Sequence, residues 1–259
     1  PWSFAGRRGY MTLEKDLAPY EIATLGTVSA KLESWMCVSK QTLAFGENSW
    51  DVWVFPNEKK AELPGDVVMT ADLESALAAL AKGGRVIYTG KSSLVGKGKF
   101  EPVYWSSIHF PSKDPSVALG TWFNEDHRVF AEFPTENWMD WQWRSLAEGA
   151  TVHVLKNAPA KLDAIAMPVS DIHFSEFLAT MFELRALKGR LFVCGYNLDA
   201  DTPEGRALRR SIFNYVAGED FKPAVELDEA ALRKMMTPDP KAVKELSSAD
   251  YRVQTKNGE

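Results

Sequence analysis

Asp72-Leu-Glu-Ser-Ala-Leu-Ala-Ala-Leu-Ala-Lys-Gly-Gly-Arg-Val-Ile-Tyr-Thr89 sets a helix and a strand back to back. Leu73, Leu77 and Leu80 recur at helical spacing, which predicts an amphipathic helix over Leu73–Lys82 capped by Thr70 or Asp72. Gly83-Gly84 ends it, and Arg85–Thr89 reads as a short buried strand. The alternation continues. Trp138–Ala147 reads as a helix, Thr151–Leu155 as a strand and Leu162–Val169 as a further apolar run. Pro203 opens a helix over Glu204–Ala217, and Asp228–Met236 is a last short one. Lys188-Gly189 separates two strand-like runs, 178–187 and 190–197, as a hairpin would. Helix and strand taking turns from 66 to 217 predict an α/β layered domain.

Residues 20–56 read differently. Ile22–Val28 and Leu32–Phe45 are short strand-like stretches. Ser49–Phe55 alternates, with Trp50, Val52 and Val54 on one face and Asp51, Trp53 and Phe55 on the other. A polar stretch with a Pro-Gly turn, Asn57–Asp66, reads as a linker. The expected division is 1–58 as a few strands of a β-sandwich, 66–220 as the α/β domain, and 221–259 as a short helix with a polar tail. Three strands bury too little to fold alone. The chain also starts at Pro1, so the expectation is a piece of a longer polypeptide.

The chain has 259 residues and a formal charge of −5, with acidic and basic residues interspersed. That offers no basic stripe for nucleic acid. No apolar run approaches the roughly 18 residues of a membrane span. Cys37 and Cys194 sit in apolar runs and read as buried hydrophobes, with a single disulfide between them left open.

Most local motifs fail on spacing. Gly90-Lys91-Ser92 lacks the glycine that a phosphate loop needs at position 85, which is Arg. Gly96-Lys97-Gly98 lacks the third glycine of a dinucleotide fingerprint, because position 101 is Glu. No G-x-S-x-G elbow occurs, and Cys194 lies inside a strand. His109, His127, His153 and His173 form no close ligand pair, although Asp171 and His173 would share a face of a strand. No metal or cofactor is expected. Glu136 and Asp140 are four apart, so a helix would put both carboxylates on one side. The bland reading of Glu136 is a first-turn charge favouring the helix dipole.

Phe133-Pro-Thr-Glu-Asn-Trp-Met-Asp-Trp-Gln-Trp143 carries three tryptophans among carboxylates and amides, with Trp105 and Trp122 upstream. A core segment would use Leu, Ile and Val, which carry no polar atoms. Indole, with an apolar face and one donor, suits half-wet surfaces that meet another molecule. The bland alternative is an aromatic seam between two layers of one domain.

Three blocks together resemble the C-terminal region of glycoside hydrolase family 2 (β-galactosidase-like) proteins. Asn48–Pro56 looks like the last strand of their β-sandwich. The run from Leu119-Gly-Thr through His127 and Phe133-Pro-Thr-Glu136 to Trp141-Gln-Trp143 resembles a block of their α/β region. So does Gly189–Cys194 followed by Asn197-Leu-Asp199 and Arg209-Arg210-Ser211. The resemblance implies a flavodoxin-like, class I glutamine amidotransferase-like domain without a nucleophile elbow. It implies that the two catalytic glutamates lie on a barrel elsewhere in the parent chain, since neither matches a residue here.

The expected function is therefore a non-catalytic accessory portion, with no catalytic residue of its own. Its partners would be carbohydrate and the missing N-terminal catalytic domains; no nucleic acid or membrane partner is expected, and an oligomer stays open. The resemblance suggests a periplasmic or extracellular setting. Trp105, Trp122, Trp138, Trp141 and Trp143 would offer platforms for sugar faces. His127, Glu136, Asn137, Asp140 and Gln142 would hydrogen-bond hydroxyls. The contrasting expectation is a stand-alone hydrolase using a carboxylate pair or Cys194.

Overall fold

The computed structural model describes residues 1–12, 16–24, 26–32, 39–90, 94–97, 118–155, 158–159, 161–170 and 175–237. Trp105, Cys37, His109, the Asp171/His173 pair and the tail after 237 lie outside the described residues. The chain divides into two compact units, Pro1–Glu58 and Lys59–Glu259.

The first unit is one antiparallel sheet. Its strands are β1 (Trp2–Phe4), β2 (Arg7–Gly9), β3 (Ser39–Phe45) and β4 (Asn48–Val54), in the order β2-β1-β3-β4. Ala5-Gly6 joins β1 to β2, both residues at positive φ (50° and 74°), which suits a two-residue hairpin. Two corrections follow. Ile22–Val28, expected as a strand, is irregular where described. The expected strands of a β-sandwich are a single four-stranded sheet, with no second sheet among this unit's described residues.

The second unit opens with β5 (Val67–Thr70), α1 (Leu73–Ala81), β6 (Arg85–Tyr88), β7 (Leu94–Lys97) and β8 (Ala118–Phe123). Next come α2 (Arg144–Ala147), β9 (Thr151–Val154), β10 (Ala164–Ser170), β11 (Leu178–Ala179), β12 (Met181–Ala186) and β13 (Gly189–Cys194). The unit ends in α3 (Pro203–Ala217), β14 (Glu226–Leu227) and α4 (Glu229–Met236). The main sheet runs β5-β6-β13-β12-β10-β8, with β14 beside β12, and β11-β9-β7 form a second sheet.

This overturns the flavodoxin-like, amidotransferase-like α/β expectation. Strand outweighs helix, 32% to 22%, and the strands belong to several sheets. In the main sheet β5, β6 and β13 are parallel, but β13, β12, β10 and β8 alternate in direction. A parallel neighbour needs a crossover of a dozen or more residues, usually a helix. Between β6 and β13 the described chain runs mostly strand to strand. Only the short α2 intervenes, and β12 turns into β13 through the tight Leu187-Lys188 hairpin, with Leu187 at φ 56°.

The helices form where the sequence puts their stop and start signals. Asp72, Thr202 and Asp228 each accept a backbone N–H of the first turn of α1, α3 and α4. Alternation along β13 then sorts the core. Leu191 and Val193 join Leu77, Leu80, Leu232 and Met236 of α1 and α4. Phe192 points the other way, edge-on to Tyr215 of α3 and to Phe221. Residues 221–237, expected to lie outside the domain, thus contribute to its core.

Gly195 shows how closely the two sheets approach. It accepts a hydrogen bond from Thr151 N–H at 2.8 Å and donates one to the Thr180 carbonyl at 2.7 Å. A Cβ here would lie 2.0 Å from the Thr151 carbonyl oxygen, so backbone would have to move. Gly195→Ala is expected to lower unfolding free energy by about 1–3 kcal/mol, read as a lower urea midpoint at unchanged m-value; an unchanged midpoint contradicts this packing.

Candidate functional site

The tryptophan-rich segment is not the helix expected over Trp138–Ala147. Its first part pairs with β8: Phe123 N–H donates to the Asn137 carbonyl and Met139 N–H to that of Thr121, both at 3.0 Å. Trp138 therefore stands directly opposite Trp122 in an antiparallel bridge. The chain then tightens into a 3-10 turn, Trp141–Trp143, and only Arg144–Ala147 is α-helical. Asp140 caps the turn, its carboxylate accepting Trp141 N–H at 2.7 Å. Glu136 lies in the irregular stretch before the bridge, so Glu136 and Asp140 do not share a helix and the carboxylate pair loses its basis.

The turn sends its tryptophans apart. Trp143 is 0% exposed, stacked on Phe123 with ring centroids 4.3 Å apart and edge-on to Phe130 and Phe133. Its indole N–H donates to Thr135 Oγ1 at 2.8 Å, so the burial leaves no orphaned donor. Gln142 is buried beside it. These two belong to the core, as the seam reading has it. Trp141 is 59% exposed, with the Arg144 guanidinium 5.7 Å from its ring centroid. Trp138 is 49% exposed and Trp122 half-buried. Trp122 and Trp138 thus face each other at a sheet edge, with Asn137 next to Trp138 in the chain and Asp140 and Trp141 in the turn that follows.

His127 lies on the other side of the sheet. It caps the 3-10 turn Arg128–Phe130, accepting Val129 N–H at Nδ1 (3.2 Å). That contact leaves the neutral ring's proton on Nε2, which faces Glu183 Oε2 at 3.9 Å. Tyr215 donates to the same carboxylate oxygen at 2.7 Å, and its ring meets His127 edge-on. Burial and the Glu183 charge raise the Tyr215 phenol well above its ordinary pKa. Sequence reasoning does not single out Glu183, and it places Tyr215 only on the apolar side of α3. One signal was available: a lone carboxylate inside the apolar run Met181-Phe-Glu-Leu184. With both imidazole nitrogens directed at protein groups, this cluster reads as a tie between β12, α3 and the 128–130 turn.

Cys194 is a free, buried cysteine whose thiol lies 3.9 Å from the Tyr196 carbonyl. Burial pushes it up to about 12, the opposite of what a nucleophile needs. His153 on β9 is likewise sealed, edge-on to Phe182, and burial pushes its pKa down to about 4. Among the described residues, no three His, Cys, Asp or Glu side chains gather to hold a metal ion, and no helix is long and apolar enough to cross a membrane.

Two outcomes follow. Trp143→Ala is expected to cost about 3–5 kcal/mol in denaturant unfolding, while Trp141→Ala changes stability by less than about 0.5 kcal/mol; equal effects would refute the division. His153 binds a proton more readily unfolded, near 6.5, than folded, near 4. Stability therefore falls as pH drops through that window, by on the order of 3 kcal/mol. Urea unfolding at pH 7, 5.5 and 4 should show the slope in the wild type and lose it in His153→Phe.

No curated protein matches the chain. The family described as "Domain of unknown function (DUF8487)" matches residues 67–237, more than half of the chain and nearly all the described part of its second unit. The chain belongs to that family.

Proposed function

We propose that the chain is a non-catalytic accessory portion of a glycoside hydrolase family 2-like protein, and that it contacts carbohydrate through the edge bearing Trp138 and Trp141. The observation that carries this is the exposure of those two indoles, Trp138 on a sheet edge and Trp141 in the turn that follows, in a segment that also carries Asn137 and Asp140. Aromatic faces next to short polar side chains match a sugar, whose C–H faces are apolar and whose rim is hydroxylated. The family 2 part of the reading is supported by the sequence blocks around Asn48–Pro56, Leu119–Trp143 and Gly189–Ser211, and no longer by an amidotransferase-like fold. In this reading the partners are carbohydrate and the catalytic domains of the parent polypeptide, in a periplasmic or extracellular setting.

The contrasting hydrolase reading loses its thiol to burial and its carboxylate pair to the non-helical path of residues 136–140.

The test uses the full chain against a panel of soluble oligosaccharides and insoluble polysaccharides, followed by tryptophan fluorescence and co-sedimentation. At least one glycan should bind, and Trp141→Ala should weaken it about tenfold or more, since truncated tryptophan anchors commonly cost 2 kcal/mol or more. Binding to none of the panel overturns the carbohydrate reading. Release of sugar from a chromogenic β-glycoside at enzymatic rates overturns the non-catalytic one.

A further inference from the structure

The sheet edge holds Trp138 in a specific pose, and the residue that permits it is Gly120. The hydrogen bonds Phe123 N–H to Asn137 O and Met139 N–H to Thr121 O flank the Trp122–Trp138 pair. That makes it the close, non-hydrogen-bonded kind, with both side chains on one face. Gly120 lies two residues from Trp122 on β8 and so shares that face. An ideal Cβ on Gly120 would sit 2.5 Å from Trp138 Cζ2, with Cε2 and Cη2 at 3.2 and 3.3 Å. Three atoms of one indole crowd that single point, so the ring lies across the bare backbone of Gly120. One side of Trp138 is thus backed by β8, and the residue is still 49% exposed. Trp141 is backed in the same sense by the Arg144 guanidinium and is 59% exposed.

Resting on the carbohydrate reading above, we infer that Gly120 is the positioning residue of a two-indole platform, and that the platform takes one neutral, linear oligosaccharide of at least two sugar rings. Trp138 and Trp141 are three residues apart, which puts their Cα atoms at most about 10–11 Å from each other. Sugars of one short chain can reach both. An indole fixed before binding has no rotamer freedom left to lose, which is what preorganisation contributes to affinity. Within residues 136–144, which carry both indoles, Glu136 and Asp140 outnumber Arg144, so a chain of uronates or sulfated sugars meets like charge, and a neutral chain does not.

The experiment is calorimetric titration of the full chain with glucose, cellobiose, cellotriose and the corresponding β-1,4-galacto-oligosaccharides, with an oligogalacturonate as the charged arm. The proteins are wild type, Gly120→Ala, Trp138→Ala, Trp141→Ala and the Gly120→Ala/Trp138→Ala double variant. Affinity should rise at least tenfold from mono- to trisaccharide in one neutral series, and either tryptophan variant should return the trisaccharide to monosaccharide strength. Gly120→Ala should weaken the trisaccharide as Trp138→Ala does, and should add nothing in the Trp138→Ala background.

A Gly120→Ala protein that binds like wild type, or one whose effect adds in full to that of Trp138→Ala, overturns the positioning role. Equal affinity along the series, or preference for the oligogalacturonate, overturns the ligand class while leaving the carbohydrate reading in place. Binding to no sugar ends that reading and the ligand class with it. Acrylamide quenching without any sugar then judges Gly120 by itself. The Trp138 contribution, obtained as the difference from a Trp138→Phe protein, should be quenched more strongly in Gly120→Ala, and unchanged quenching overturns the positioning role.

Discussion

The burial of Trp143 organises the second unit around its tryptophan-rich segment. Its indole fills the space between Phe123, Phe130, Phe133 and Tyr196, and its only donor is answered by Thr135. A large ring with one polar atom can be placed in a core only where that atom has a partner. Thr135 supplies it from the stretch just upstream, so the ring and the stretch fix each other. Once the ring is anchored, the two residues before it are constrained as well. A 3-10 turn advances about 120° per residue, so Trp141 must point well away from Trp143. The outward indole is a geometric by-product of the inward one.

Local patterns carried the parts of the fold that depend on local physics. Leucine spacing and a carboxylate cap located α1; Pro203 marked the start of α3. Strand direction is different in kind. Whether β12 lies parallel or antiparallel to β10 depends on residues far apart in sequence, and no period of 2 or 3.6 encodes it. The hairpin signal at Lys188-Gly189 was the one local hint that the sheet could not be parallel throughout. The hairpin formed one residue earlier, and the direction it imposes runs on across β12, β10 and β8.

The candidate site divides along the same line. That the tryptophan cluster was unusual could be read from composition. Which indoles were core and which surface could not, because an α-helix and a 3-10 turn differ by only about 20° per residue. Over Asp140–Trp143 that difference is too small to leave a mark in four residues. The pairing of Trp138 with Trp122, and of His127 with Glu183 and Tyr215, joins segments far apart in sequence. Glu183, a carboxylate inside the apolar run Met181–Leu184, could have been picked out by asking what would satisfy it.

The main sheet's mixed direction also separates its seams by how much chain each must close. The β12–β13 hairpin brings Ala186 against Gly189, while the parallel β6–β13 seam brings Arg85 against Arg190. By loop-closure entropy, a loop of about a hundred residues costs roughly 3 kcal/mol more than one of two. The antiparallel half can therefore nucleate on neighbouring chain, whereas the parallel half waits for a distant segment to arrive. A newly made chain would carry β5, α1 and β6 as an unfinished sheet, its edge unpaired, until residues near 190 had been synthesised.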